Sequence, residues 1–258
     1  MPSMDNVRRC LLLTLCATSW LLLTTWPSPA WADLHVAPTS VQMGAFFDGA
    51  RIRVSAVIPQ GTDAVVEVVG KRIEEQLLRK ARHWDIWMNV GEIDIEEAPR
   101  LYFALSTDPG SLSRSDANAF GYAAMRQRVS FKGDLRGLVR RDIFREFIEL
   151  KESEKLYRLL PGALKVSPAL GDAQVVEGEF TVPSRIAPGE YRVKLSVVDH
   201  GRVLRTESVQ LDVGMVGLPA FLTSLARSHG ALYGLFAVVI AVIFGFIVGV
   251  VFRKGRRA

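Results

Sequence analysis

From Ala231 to Phe252 the chain carries no charged side chain, and Arg253-Lys254-Gly255-Arg256-Arg257 follows at once. At a rise of about 1.5 Å per residue, this run spans roughly 33 Å as a helix, close to the thickness of a bilayer hydrocarbon core. Lipid offers no hydrogen bonds to backbone amides, so a lone apolar segment of this length must cross as a helix. The run therefore reads as one membrane-spanning helix, 231–252, with 253–258 as its basic stop-transfer tail. Whatever else folds is tethered to a membrane by its C-terminal end.

The other terminus also concerns membranes. Arg8 and Arg9 precede an apolar stretch from Leu11 to Leu23, then Pro27, Pro29 and Ala30-Trp31-Ala32. Small residues at positions 30 and 32 suit a signal peptidase, which predicts a signal peptide over 1–32 and cleavage before Asp33. An uncleaved N-terminal anchor is the competing reading. With cleavage, the body lies outside the cytoplasm, and the basic tail lies inside by the positive-inside rule. The expected location is a bacterial inner membrane, single-pass, with the N-terminal domain periplasmic and the C-terminus cytoplasmic.

Charge bookkeeping supports that topology. Two of the 32 basic residues lie in the signal segment and four in the tail, while one of the 27 acidic residues lies in the signal. The remaining body holds 26 of each sign. A balanced body argues against nucleic-acid binding, whatever the net charge of +5 for the whole chain. Both cysteines, Cys10 and Cys16, sit in the signal segment, so the body has no thiol, disulfide or cysteine metal site.

Between Asp33 and the membrane, short stretches alternate in polarity. Arg51 to Ile58 does so ahead of a Pro59-Gln60-Gly61 turn, and Ala64 to Val69 is rich in valine. Asp85 to Val90, Leu101 to Leu105, Val175 to Val182 and Tyr191 to Val197 read as further strands, and Asp199-His200-Gly201-Arg202 as a hairpin returning from Val203 to about Val213. Between these groups the period changes. Asp134 caps an expected long helix, with Leu135, Leu138, Val139, Ile143, Phe147 and Leu150 at helical spacing and Arg145–Glu149 as an i,i+4 pair, ending at Pro161-Gly162. A weaker helix is expected over 115–128. The expected fold is mainly β: an immunoglobulin-like β-sandwich (33–220) with an α-helical insertion at about 114–160, a juxtamembrane segment (221–230) and the single transmembrane helix. Two separate domains are the alternative.

Several landmarks, in order, resemble a family of alphaproteobacterial proteins known as a putative transmembrane protein family. They are Arg79-Lys80, Ile86-Trp87-Met88-Asn89, Pro99 through Tyr102 to Ser106, Leu156-Tyr157, Pro161-Gly162, Pro188-Gly189-Glu190-Tyr191 and Leu232-Tyr233-Gly234-Leu235. The chain departs from the pattern over 69–76, where Gly70 and Glu74-Glu75 interrupt a more compact basic strand. The resemblance brings no established activity. Its members often stand beside a sulfite-exporter-like permease, which implies a companion role in handling sulfur compounds.

Catalytic and metal chemistry find little support. His35, His83, His200 and His229 match no compact metal motif, no nucleophile elbow or phosphate-cradling loop is present, and a Ser106/His83/Asp108 triad exists only on paper. No catalytic residue, metal or cofactor is expected. The most suggestive cluster runs from Lys80 to Trp87. On a strand from Ile86, Trp84, Ile86 and Met88 share one face and Asp85, Trp87 and Asn89 the other, leaving one tryptophan core and one exposed. Arg79, Arg82, His83 and Trp87 are thus candidates for anion or partner binding, against a bland reading as a structural tryptophan pair beside a solvated basic turn. In the membrane helix, Gly245 and Gly249 form a small-xxx-small pattern suited to close helix approach, by a permease or by a second copy. The sequence therefore favours a non-enzymatic periplasmic accessory or interaction protein, with a small-anion sensor and an envelope structural protein as alternatives.

Overall fold

The computed structural model describes residues 33–113, 120–135, 137–168 and 171–255. The expected signal peptide, the 115–119 part of the weaker helix, and residues 256–258 of the tail lie outside the described residues.

Alternation decides the first sheet. In β3 (Gly49–Pro59), Ile52, Val54, Ala56 and Ile58 are buried, while Arg51 and Arg53 face outward and Arg51 pairs with Glu179 at 2.9 Å. This strand lies between β1 (Leu34–Ala37) and β11 (Ala173–Pro183), and β10 (Lys165–Pro168) completes an antiparallel sheet in the order β1-β3-β11-β10. The second sheet centres on β12 (Gly189–Asp199), which pairs antiparallel with β4 (Asp63–Gly70) and β13 (Arg202–Met215). Beyond β4 lie β7 (Tyr102–Ser106) and then β9 (Tyr157–Leu160), and β2 (Ser40–Met43) runs parallel to β13 at the other edge. The β12–β13 turn is the expected hairpin. His200 and Gly201 both take positive φ, 45° and 81°, the geometry that matches the strands' right-handed twist.

The inward sides of these two sheets fill one apolar core. Ile52, Val54, Ile58, Val176 and Phe180 come from the first sheet, and Val66, Val68, Phe103, Leu195 and Leu211 from the second. Phe103 and Phe180 meet edge-on at 6.0 Å.

The outer side of the six-stranded sheet is covered as well. Two helices, α1 (Gly121–Arg128) and α2 (Arg140–Ser153), join a third sheet of β5 (Arg72–His83), β6 (Ile86–Pro99) and β8 (Ser130–Gly133). Together with Val65, Tyr102, Ala104 and Val198 they form a second core around Phe147 and Tyr157, whose rings meet perpendicularly at 5.7 Å. The β5–β6 pair continues the β4–β7 ladder without a break: the Gly70 N–H donates to the Leu101 carbonyl and the Arg100 N–H to the Lys71 carbonyl, each at 2.9 Å. One hairpin therefore runs from the sheet out to a turn at Trp84-Asp85.

Several expectations need correcting. The helix begins at Arg140 rather than Asp134, because Asp134 continues the strand pairing, its N–H donating to the Glu92 carbonyl at 2.9 Å, and Gly137 then takes φ 72°. Its buried stripe is Ile143, Phe144, Phe147, Ile148 and Lys151, whereas Leu138, Val139 and Leu150 face solvent. It stops at Ser153, well before Pro161-Gly162, since Lys155 (φ 62°) turns the chain into β9. The Arg145–Glu149 pair is present at 3.9 Å on the exposed side. The strand expected at 85–90 is the start of the much longer β6, and β5 opposite it replaces what read as a basic turn.

After β13, α3 (Leu218–Ser228) leads into α4 (Gly230–Gly255), which contains one stretch, Gly230–Gly249, long and apolar enough to cross a membrane and with none of it buried in the protein.

Candidate functional site

Arg79, Arg82, His83 and Trp87 all lie on the distal part of the β5–β6 hairpin, where Arg82 stands opposite Trp87 and His83 opposite Ile86. The side chains of Arg79, His83 and Trp87 are outside the described residues. Arg82 is exposed and its guanidinium donates to Asp85 at 2.5 Å, so part of its charge is already answered. Trp84 sits in the turn rather than on the strand and is 96% exposed. Ile86 and Met88, two apart on β6, are both exposed.

A second constellation lies at the root of the same hairpin. Strand alternation sends Glu67, Val69, Tyr102, Arg192 and Lys194 to the outer side of the six-stranded sheet, and the register sets Lys194 directly opposite Glu67. Helix α1 closes over this patch through Ala124 and Met125, leaving an open groove of about 1010 Å³ between α1, the hairpin root and the start of β12. Glu67 is 6% exposed, yet both its oxygens are used: Tyr102 Oη donates to Oε1 at 2.5 Å, and Lys194 Nζ lies 3.7 Å from Oε2. A buried carboxylate is tolerable only when paired and hydrogen-bonded in this way. Burial, with the Glu67 charge beside it, holds the Tyr102 hydroxyl far above the usual phenol range, so it remains a donor.

The rim is basic. Lys71, Arg72, Arg100, Arg128, Arg192 and Lys194 line the groove against Glu67, Glu97 and Glu190. Arg72 is neutralised by Glu97 at 2.8 Å. For Lys71, Arg100, Arg128 and Arg192, no carboxylate among the described residues lies within ion-pairing distance. Gly70 permits this geometry, because a Cβ there would meet the Tyr191 ring at 2.9 Å and the Leu101 nitrogen at 3.0 Å. Chemically, the groove offers guanidinium and ammonium groups to an anion, over a floor whose one carboxylate is already bound.

Sequence reasoning missed this groove because its residues are scattered over 67–210. One signal was available: Glu67 interrupts a valine strand in which every neighbour is apolar. The paper triad does not assemble. The Ser106 hydroxyl donates to the Asp108 carbonyl at 2.7 Å, while His83 lies at the far end of the hairpin. Among the described residues, no three His, Cys, Asp or Glu side chains converge as metal ligands. In α4, Gly245 and Gly249 have no atom within 4 Å of where a Cβ would stand.

No curated protein and no solved structure is similar enough to match this chain. A family described as "Putative transmembrane protein (Alph_Pro_TM)" matches residues 33–254, which include both cores, the hairpin and the apolar helix. The chain therefore belongs to the Alph_Pro_TM family of transmembrane proteins.

Proposed function

We propose that this is a non-enzymatic, membrane-anchored accessory module whose body faces the periplasm and holds an acidic group in the basic groove at the hairpin root. The observation that carries this reading is the set of Lys71, Arg100, Arg128 and Arg192 around one groove, without carboxylate partners among the described residues. Sulfite, thiosulfate and sulfate, the anions that a role beside a sulfur-compound transporter implies, are suited to such charge-assisted hydrogen bonds. The test is calorimetric titration of the detergent-solubilised full chain with each anion. Binding that weakens at least tenfold in Arg100→Ala/Arg192→Ala and is unchanged in Arg82→Ala supports the groove. Binding lost in Arg82→Ala alone moves the site to the hairpin tip, and no binding to the unmodified chain removes the anion reading.

The same proposal includes an immunoglobulin-like body. Its support is the facing strand orders β1-β3-β11-β10 and β2-β13-β12-β4-β7-β9, together with Tyr191 at the start of β12, whose hydroxyl donates to the Ala187 carbonyl at 2.6 Å. A tyrosine corner of this kind is a hallmark of such sandwiches. For the membrane partner, whether permease or second copy, the open side at Gly245 and Gly249 is the proposed contact. Gly245→Leu/Gly249→Leu should abolish crosslinking through α4 without releasing the chain from the membrane.

A further inference from the structure

The hairpin tip is apolar, aromatic and basic in a place where a water-facing turn has no use for such residues. Trp84 is 96% exposed, Ile86 67% and Met88 53%, and Leu78 on the opposite strand is 53% exposed. Two-residue hairpin turns favour Asn, Asp and Gly, yet here a tryptophan takes φ 58°, a conformation bulky residues rarely adopt. Lys80 and Arg82 stand within four residues of it, against the single acid Asp85. Packing does not explain the tip. Among the described residues, the second core and β8 cover the hairpin only up to about Ile93, and the ladder continues beyond that as two strands.

Strand register shows from which end of the sheet the hairpin leaves. Gly189 pairs with Val213, and Tyr191 pairs with both Leu211 and Gly70, so β4 and β13 leave the six-stranded sheet at the same end. From that end β13 passes through Val216-Gly217 into α3, whose Leu218, Phe221 and Leu222 are exposed, and then into α4. From that same end β4 continues into β5, whose 12 residues reach about 40 Å at 3.3 Å each. The hairpin and the membrane anchor thus depart in company, and α4 keeps a bilayer permanently at hand.

We infer that the tip of the β5–β6 hairpin seats in the interfacial layer of the bilayer that holds α4, with Trp84, Ile86 and Met88 among the headgroups and upper acyl chains and Arg82 meeting anionic lipid. Tryptophan prefers that layer, and basic residues beside it are drawn to anionic headgroups. The body then has two attachments, one through α4 and one through the tip, and its orientation to the membrane is fixed. The inference rests on the anchoring of α4 and is independent of the groove.

The experiment uses the full chain with Trp84 as its sole tryptophan (Trp20, Trp26, Trp31 and Trp87 replaced by Phe), reconstituted into phosphatidylethanolamine/phosphatidylglycerol vesicles with and without bromine on the upper acyl chain. The expected result is at least twofold quenching of Trp84 emission by the brominated lipid. Replacing Arg82 by Gln should weaken that quenching. A chain that floats with the vesicles while Trp84 remains unquenched and solvent-like overturns the tip contact alone. A chain that does not float overturns the anchor and the tip together. Shielding of Trp84 only after a second membrane protein is added assigns the tip to a protein partner and contradicts the lipid contact.

Discussion

The six-stranded sheet has two buried sides that differ in kind. Its inner side is hydrocarbon: Val66, Val68, Val193, Leu195 and Leu211 meet Ile52, Val54 and Ile58, with little polar matter between the sheets. Its outer side is aromatic and polar: Tyr102, Phe147 and Tyr157 pack among Glu67, Ser196 and Lys151, all three of them buried polar or charged residues. Apolar burial is additive and unselective, whereas a buried charge is tolerated only with named partners in fixed positions. The inner side explains why the chain folds. The outer side, with its groove and hairpin, is where the protein adds to two sheets around one apolar core.

The comparison breaks most sharply under large core truncations. Leu195→Ala and Phe147→Ala should each cost about 3–4 kcal/mol, but with different reach. Losing Leu195 undermines the sheet on which both layers rest, so hydrogen exchange should accelerate throughout the body. Losing Phe147 should accelerate exchange in α2, β8 and the proximal hairpin while β3 and β11 stay protected. Uniform loss in both variants would mean the layers are one cooperative unit.

A smaller effect tests the polar character of the outer layer. Lys151 is 4% exposed, pairs with Glu75 on β5, lies 3.4 Å from Glu154 and sits over the Phe147 ring at 5.8 Å. Lys151→Ala should cost about 2–3 kcal/mol, read from chemical denaturation, because it strands Glu75 and opens a gap. The double change Lys151→Met/Glu75→Gln should recover most of that loss. The smallest effect is at Ser196, buried with its hydroxyl unpartnered among the described residues. Ser196→Ala should leave the melting temperature unchanged or raise it slightly, since it removes an unmet hydrogen-bonding group.

What was legible in the sequence follows the same division. β3, β11 and β12 were readable because each buries one side against a hydrocarbon core, which writes a period of two into the chain. The hairpin turn at His200-Gly201 carried its own local chemistry. The outer layer was less readable because its determinants are not periodic. Gly137 at positive φ, the pairing of Asp134 with Glu92, and Lys155 at positive φ displaced both ends of α2 against its apolar spacing. Half of the β5 residues are charged, and its distal part around residues 79–83 read as a basic turn, since its partner lies across a hairpin that composition does not announce. The groove needed tertiary structure, as Glu67, Tyr102 and Lys194 become neighbours only through strand register.

The whole arrangement stands on α4 lying in lipid with the two-layered body on the outer side. Phe46, 99% exposed and a member of neither core, is a suitable label site in a chain whose native cysteines, Cys10 and Cys16, are replaced by Ser. In spheroplasts, a membrane-impermeant maleimide should label Phe46→Cys at once and Ala258→Cys only after the membrane is broken, and carbonate washing should release neither protein. The reverse labelling order, or recovery of intact protein in the wash, would contradict the account.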